Sequence, residues 1–294
     1  MKLKFCLKKE WAHLTRTHRL LGVIIAAFAV AVSYPLMFRL TGVIFTELAK
    51  SSGLSISIGE VDPGFLGGMS LGDMAEMYFD AGLMYSAAMS SMFSITLLVF
   101  MLILGSAAGG EQKKRAMIIP LCSGLSTKHY VFAKFIVYPL VCFVDVFLSS
   151  MLCGALCNAL FPNNKIAVGM LFLASVLAGV YIVFAVCVFM SLGICTSRPG
   201  VMAAVVFVAI TIVQTVLQMI SNSYGEIKYN PFALVNLVSG EMLASPNFSL
   251  ADNALNIAVG IAVSLLVSAI MSLLAIAVLN AKKINNRREK KPEF

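Results

Sequence analysis

The feature that most constrains this chain is a set of long stretches without charged side chains. Five of them contain no Asp, Glu, Lys or Arg, and a sixth is interrupted only by Asp145. Each is about as long as the roughly 20 apolar residues that a transmembrane helix needs. The stretches are residues 20–38, 81–110, 135–164, 166–197, 199–225 and 253–281. The chain is therefore predicted to cross a membrane six times.

Composition agrees with an integral membrane protein. Of the 294 residues, 60% are hydrophobic and 12% are charged, whereas a soluble domain carries about 25% charged residues. The predicted fold is an all-α, polytopic membrane protein with an N-terminal helix in 1–19, a transmembrane domain in 20–281 and a basic tail in 282–294. The six transmembrane helices are expected at about 20–38, 84–108, 131–160, 166–195, 200–220 and 254–281.

Positive charges alternate with the predicted spans and indicate the orientation. Cations are concentrated in the N-terminus, in the connection 111–134, at Arg198 and in the tail, whereas residues 39–80 hold six acids against two cations. The positive-inside rule places the cation-rich segments in the cytoplasm. We expect a multi-pass protein of the cytoplasmic cell membrane with both termini cytoplasmic. Its net charge of +8 then reflects topology and contact with membrane lipids, and no nucleic-acid binding is predicted.

The N-terminus and the outer connections carry further predicted helices. The apolar run from Leu20 exceeds the roughly 7 to 15 residues of a signal-peptide core, so it is predicted to be retained as a span. Phe5, Trp11 and Leu14 lie among cations, which predicts an amphipathic helix along the inner membrane surface. Short outside helices are expected before spans two and six, the first opened by Ser70.

Several missing motifs exclude classes of function. The chain has no GxxxxGK[ST] phosphate loop and no HExxH zinc motif, so neither nucleotide binding nor metalloprotease chemistry is predicted. Its three histidines, at 13, 18 and 129, lie outside the predicted spans or at their boundary. We expect no catalytic residue, no metal site and no cofactor bound by this chain. None of the seven cysteines falls in a segment predicted to lie outside, so no disulfide framework is implied.

Polar side chains inside spans are costly and usually face another helix or a watery cavity. Asp145 is the only ionisable residue well inside a predicted span. It is a candidate for substrate, ion or gating function, or for a protonated or helix-paired group that holds the bundle together. Span five carries a ridge of polar residues at helical spacing that either lines a translocation path or joins two helices by hydrogen bonds. The ridge comprises Thr211, Gln214, Thr215, Gln218 and Asn222, of which the first four are the candidates for lining a path.

The cation-rich connection after span two has features of a docking element. Arg115 and its neighbours hold it at the membrane surface, and the apolar run 116–121 is too short to span. Ser126 can cap a helix that continues through Lys134 into span three. The alternative is an ordinary interfacial loop that obeys the positive-inside rule.

These residues resemble a motif of the membrane subunits of ATP-binding-cassette exporters, in the type 2 permease superfamily. In that family the loop between spans two and three reads Glu, then Arg-Gly-Thr, an apolar stretch, Pro-x-Ser-Arg and a Lys in the next helix. Ala116 and Gly124 depart from that pattern, and the segment "YNPFALVNLVSG", residues 229–240, resembles the family's outside segment before the last span. The matching positions here are Glu111, Arg115, 117–119, 124–128 and Lys134.

The resemblance implies a permease subunit that exports a lipid, drug, peptide or ion. It implies two copies of a separate cytoplasmic ATPase that bind ATP and Mg, and a second permease subunit, identical or related. A cytoplasmic coupling helix between spans two and three would receive the ATPase, and its contact residues would be Glu111, Lys113, Arg115, Leu125, Ser126 and Lys128. Two alternatives remain, an ion-coupled secondary transporter or channel, and a membrane anchoring or assembly subunit.

Overall fold

The structure is a computed structural model of the chain. It describes residues 2–51, 80–108, 126–196, 199–224, 230–244 and 248–288. The coupling helix predicted between spans two and three lies almost wholly outside the described residues, and so does the outside helix predicted from Ser70.

The described part of the chain is helical, which confirms the all-α class. No strand occurs among these residues, and a single isolated bridge joins Asp80 to Asn163. The helices are α1 (Lys2–Arg16), α2 (Arg19–Ser51), α3 (Ala81–Ala108), α4 (Thr127–Leu160), α5 (Val168–Cys195), α6 (Pro199–Tyr224), α7 (Ala233–Asn236), a π-helical turn (Leu237–Glu241), α8 (Met242–Ala244) and α9 (Leu250–Arg288).

Among the described residues, five helices are long and apolar enough to cross a membrane, which is consistent with a polytopic membrane protein. The qualifying segments are Arg19–Ile44, Ala81–Gly105, Thr127–Leu160, Val168–Ile194 and Leu250–Ala281. The remaining predicted span falls in α6, whose apolar stretch Val201–Leu217 is shorter than the others. A crossing by α6 therefore stays a prediction.

The N-terminal helix is separate from the first span. Between α1 and α2 lie Thr17 and His18, and His18 has a φ of 54°, in the left-handed region that side chains other than glycine seldom adopt. This residue interrupts the helix, so that α1 leaves the path of α2 and packs against α4.

Helix α5 lies at the centre of the bundle. It contacts α3, α4, α6 and α9, and 67% of its most apolar stretch is buried, against 28% in α2 and in α9. Small residues make this position possible: a side chain at Gly179 would collide with the ring of Phe143 on α4. Close helix contacts through small residues are typical of membrane bundles.

Helix α9 packs through a stripe of small residues. Ser264, Ser268 and Ser272 are buried, and the Ser264 hydroxyl donates to the Gly260 carbonyl at 2.7 Å. A Cβ at Gly260 would come within 2.8 Å of the Leu234 side chain in α7. The serine hydroxyls thus satisfy their own helix backbone, and the stripe serves close packing.

One end of the bundle is closed around Asp80. The Asp80 carboxylate accepts a hydrogen bond from the Leu83 N–H at 2.9 Å and two from the Asn164 amide, at 3.2 and 3.3 Å. A side chain on Gly82 would collide with the Leu243 carbonyl oxygen. The start of α3, the α4–α5 turn and the 237–244 segment therefore meet at this end, called here the Asp80 end.

A chain of hydroxyl groups crosses the interior next to that end. The Tyr85 hydroxyl lies 2.7 Å from Ser150 Oγ, Ser150 Oγ lies 2.9 Å from Ser175 Oγ, and Ser175 donates to the Leu171 carbonyl at 2.8 Å. These contacts link α3, α4 and α5 through groups that would be costly to bury without partners.

Candidate functional site

The most unusual interaction in the described part of the chain is a buried ion pair between α1 and α4. Lys134 Nζ lies 3.0 Å from Glu10 Oε2, and the two side chains are 0% and 1% exposed. Burying two charges is unfavourable unless they are paired in good geometry and hydrogen bonded. Such a pair therefore fixes the position of one helix on the other.

Helix α1 presents Glu10 on a narrow face. Cys6, Glu10 and Leu14 recur at intervals of four and are all buried, because residues four apart lie on the same side of a helix. Burial raises the pKa of the Cys6 thiol, and nearby Lys9 opposes that rise. Hence this face of α1 is covered by protein along its length.

Aromatic rings surround the Lys134 ammonium group. It lies 5.1 Å from the centroid of the Tyr130 ring and 5.6 Å from that of Tyr138, within the range of cation–π attraction. The Tyr138 hydroxyl donates to Glu10 Oε2 at 3.3 Å. These rings offset part of the cost of removing the charges from water.

The network continues to the start of α2. Lys9 Nζ lies 3.6 Å from Glu10 Oε1 and 5.5 Å from the centroid of the Tyr130 ring. His13 Nδ1 lies 3.5 Å from the Tyr138 hydroxyl and 3.4 Å from an Arg19 guanidinium nitrogen. We call Lys9, Glu10, His13, Tyr130, Lys134 and Tyr138 the α1–α4 cluster, and the end of the bundle that holds it the α1 end.

The cluster lies next to the predicted docking segment. Helix α4 begins at Thr127, one residue after Ser126, and the Tyr130 N–H donates to the Ser126 carbonyl at 3.3 Å. The Ser126 side chain makes no capping hydrogen bond. Ser126 and Lys128 are exposed, while Glu111, Lys113, Arg115 and Leu125 lie outside the described residues. The first turns of α4 thus join the predicted docking segment to α1.

Sequence reasoning did not identify the Glu10–Lys134 pair. The helix predicted to continue through Lys134 is present, and Lys134 lies about two turns inside α4, but nothing in the sequence analysis paired it with Glu10. A signal was present, because Glu10 is the only acid before Glu47 and shares a helix face with Cys6 and Leu14. An isolated acid on the apolar side of a basic helix indicates a buried cationic partner.

Asp145 lies deeper in α4. It is 4% exposed, and neither carboxylate oxygen has a hydrogen-bond partner among the described residues. The Ser149 hydroxyl donates to the main-chain carbonyl of Asp145, at 2.7 Å, and leaves the carboxyl group alone. A helix-pairing function for this side chain thus finds no support in the described part of the chain.

The polar ridge of α6 faces outward. Thr211 and Thr215 are exposed, and their hydroxyls donate to Phe207 and Thr211 carbonyls of the same helix, each at 2.9 Å. Gln214 is half-buried, and the Gln218 side chain lies outside what the structure describes. Neither threonine joins α6 to another described helix by a hydrogen bond.

Two further observations concern metal binding and similarity to known proteins. Among the residues that the structure describes, no group of three or more His, Cys, Asp or Glu is placed to hold a metal ion. Comparison with protein-family models, with curated proteins and with solved structures found no significant match.

Proposed function

We propose that this chain is the permease subunit of an ATP-binding-cassette exporter, with six spans in the cytoplasmic membrane and both termini in the cytoplasm. The observation that carries the proposal is the buried Glu10–Lys134 pair. It joins α1 to α4 within two turns of the cation-rich segment that resembles the family's docking loop. An exporter needs such a stiff connection at the place where a separate ATPase displaces a transmembrane helix.

In the proposed mechanism, ATP-driven closure of the ATPase displaces the 111–130 segment. Because Lys134 and Tyr138 bind Glu10, α4 and α1 then move together, and the His13–Arg19 contact extends the motion to the start of α2. The α1–α4 cluster would belong to a group of helices with two arrangements, one for each state of the ATPase. Coupling between two sites requires such a two-state element.

The ATPase is proposed to be a separate chain because the sequence of this chain has no phosphate loop. Two copies of that ATPase would bind ATP and Mg in the cytoplasm. The exported substrate would be a lipid, a drug, a peptide or an ion.

A second permease subunit, identical or related, is part of the proposal. Helix α6 exposes Val205, Val208 and Ile212 beside Thr211 and Thr215, so an apolar face carries an outward polar ridge. In a membrane, such hydroxyls suit contact with another helix more than contact with lipid chains. The polar path would then lie at the seam between two subunits.

The test is purification of the membrane complex from its own cells in mild detergent. We expect a P-loop ATPase to copurify and the reconstituted complex to couple ATP hydrolysis to transport. Arg115→Glu and Ser126→Trp should uncouple hydrolysis from transport, whereas Lys165→Glu, exposed at the Asp80 end, should not. An intact, fully coupled complex in the Arg115 and Ser126 variants would refute the docking assignment.

Asp145 favours a second candidate, an ion-coupled secondary transporter or channel. A buried carboxyl group without a described partner is a common feature of ion and proton pathways in membranes. This candidate predicts ion-driven flux by the purified chain in liposomes that contain no ATP, with loss of the flux in Asp145→Asn. A membrane anchoring or assembly subunit would show no transport in either assay.

A further inference from the structure

The only acid of α1 lies on its buried side, so the opposite face carries cations and no acid. Glu10 is the only acid in this helix, and it is paired with Lys134 in the protein interior. The other side of α1 carries Lys4, Phe5, Lys8, Trp11 and Arg16, all exposed. This set is called here the exposed face of α1. Its three cations form no ion pair among the described residues, so the face is purely positive.

The same face exposes large aromatic side chains. Phe5 is 68% exposed and Trp11 is 50% exposed, although both are costly to leave in water. Cations interleaved with aromatic residues on one side of a helix are typical of helices that lie in a membrane interface. The aromatic rings enter the boundary of the acyl chains, and the cations attract anionic headgroups.

The position of α1 brings this face to the membrane surface. Only Thr17 and His18 separate α1 from α2, and two residues reach about 7 Å at most. The apolar span begins at Arg19, and Leu21 is already 58% exposed, as expected for a lipid-facing side chain. On its other side, α1 is held to α4 by the α1–α4 cluster. The helix is therefore confined to the headgroup level at the α1 end.

We propose that the exposed face of α1 binds anionic phospholipids of the leaflet at the α1 end. The ligand class follows from charge complementarity and from the continuity of this face with the lipid-facing side of α2. Because Glu10, the only acid of α1, lies on the buried side and is paired with Lys134, no carboxylate on the exposed face repels the same headgroups. This site is independent of which partner, if any, drives transport.

Trp11 makes the proposal directly measurable, because it is the only tryptophan in the chain. The full-length protein is reconstituted in nanodiscs of phosphatidylcholine and phosphatidylglycerol, with one lipid brominated near the headgroup end of its acyl chains. Quenching of Trp11 by brominated phosphatidylglycerol is expected to exceed quenching by brominated phosphatidylcholine at the same mole fraction. The excess should shrink at high salt, because surface charge interactions are screened.

Variants of the cations on the exposed face of α1 test whether these side chains bind anionic lipid. Lys8→Gln is expected to lower the preference for phosphatidylglycerol about fivefold, and Lys4→Gln/Lys8→Gln/Arg16→Gln to abolish it. Lys165→Gln, an exposed cation at the Asp80 end, is the matched control and should leave the preference unchanged. Equal quenching by both lipids would overturn the proposal. So would a Trp11 that an aqueous quencher reaches freely, or one shielded from both quenchers by a protein surface.

Discussion

Replacing Glu10 by Gln should release α1 from α4. The change keeps the size of the side chain but leaves the Lys134 ammonium, 0% exposed and 3.0 Å away, facing a neutral amide. At that separation and an effective dielectric constant of about 20, the lost attraction is about 5.5 kcal/mol. Removing one member of a buried pair typically costs about 3–5 kcal/mol in total.

Cys6 provides the assay, because its side chain is buried on the same face of α1. Alkylation of Cys6, followed by mass spectrometry of its peptide, reports how often α1 opens. A loss of about 3–5 kcal/mol in docking should raise the rate by a factor of about 100 or more. Lys8→Gln and Lys128→Gln, exposed residues of the same two helices, are matched controls and should leave the rate within about twofold.

A double-mutant cycle distinguishes pairing from general damage. The double variant Glu10→Gln/Lys134→Gln removes both charges. Its Cys6 should therefore be alkylated more slowly than Cys6 in either single variant, so that the effects of the two substitutions are strongly non-additive. Additive effects of the two substitutions, or a Cys6 alkylation rate in Glu10→Gln equal to that of the wild type, would refute the reasoning.

Three further predictions concern other contacts of the bundle. Gly82→Ala should destabilise the protein by about 1–3 kcal/mol, seen as a lower thermal midpoint in detergent, because a Cβ would collide with the Leu243 carbonyl; an unchanged midpoint would contradict the close approach. Tyr85→Phe should cost about 0.5–2 kcal/mol in the same assay, since it removes the hydrogen bond to Ser150, and a Phe that stabilises the protein would contradict that account. Burial raises the pKa of the Cys6 thiol, so its thiolate is scarce at neutral pH. The rate of Cys6 alkylation in the wild type should therefore keep increasing at pH values where the rate for an exposed cysteine, introduced as Lys8→Cys, has levelled off. Matching pH profiles for the two thiols would contradict this prediction.

Most of the helical framework could be predicted from charge placement. Five of the six predicted segments fall within a helix of the structure, and the fourth, 166–195, begins two residues before α5. A helix in lipid satisfies its own backbone, and charged residues mark its ends. Asp80 illustrates this: it ends a charged segment and lies directly before α3. The small-residue stripe of α9 was also predictable, since Gly260 and its three serines recur at helical spacing.

The ion pair at the α1 end was not predictable in the same way. The helix that was predicted to continue through Lys134 is present, since α4 begins at Thr127 and includes Lys134, but the burial of this side chain and its partner were not predicted. The charge is tolerated inside a helix because Glu10, 124 residues away in the chain, neutralises it. No local pattern contains that information. The sequence shows a single acid on the buried face of α1, but not the helix that receives it.

The sequence also did not show which way the polar ridge of α6 faces. Thr211 and Thr215 have the spacing of a helix face, and the same spacing suits a path, a contact between helices of one chain or a contact with a second chain. The structure places them on the exposed side of α6, with hydroxyls bonded to their own helix. Asp145 shows the opposite case, because it is buried but has no carboxyl partner in the described part of the chain.

The most direct test of the proposed function is ATP hydrolysis by the purified membrane complex in nanodiscs, measured together with its ATPase content. We predict that the wild type retains about one ATPase per permease and hydrolyses ATP, that Arg115→Glu loses the ATPase or its coupling, and that Lys165→Glu behaves as the wild type. A wild-type complex without any P-loop ATPase, or an Arg115→Glu complex with full content and coupled hydrolysis, would contradict the account.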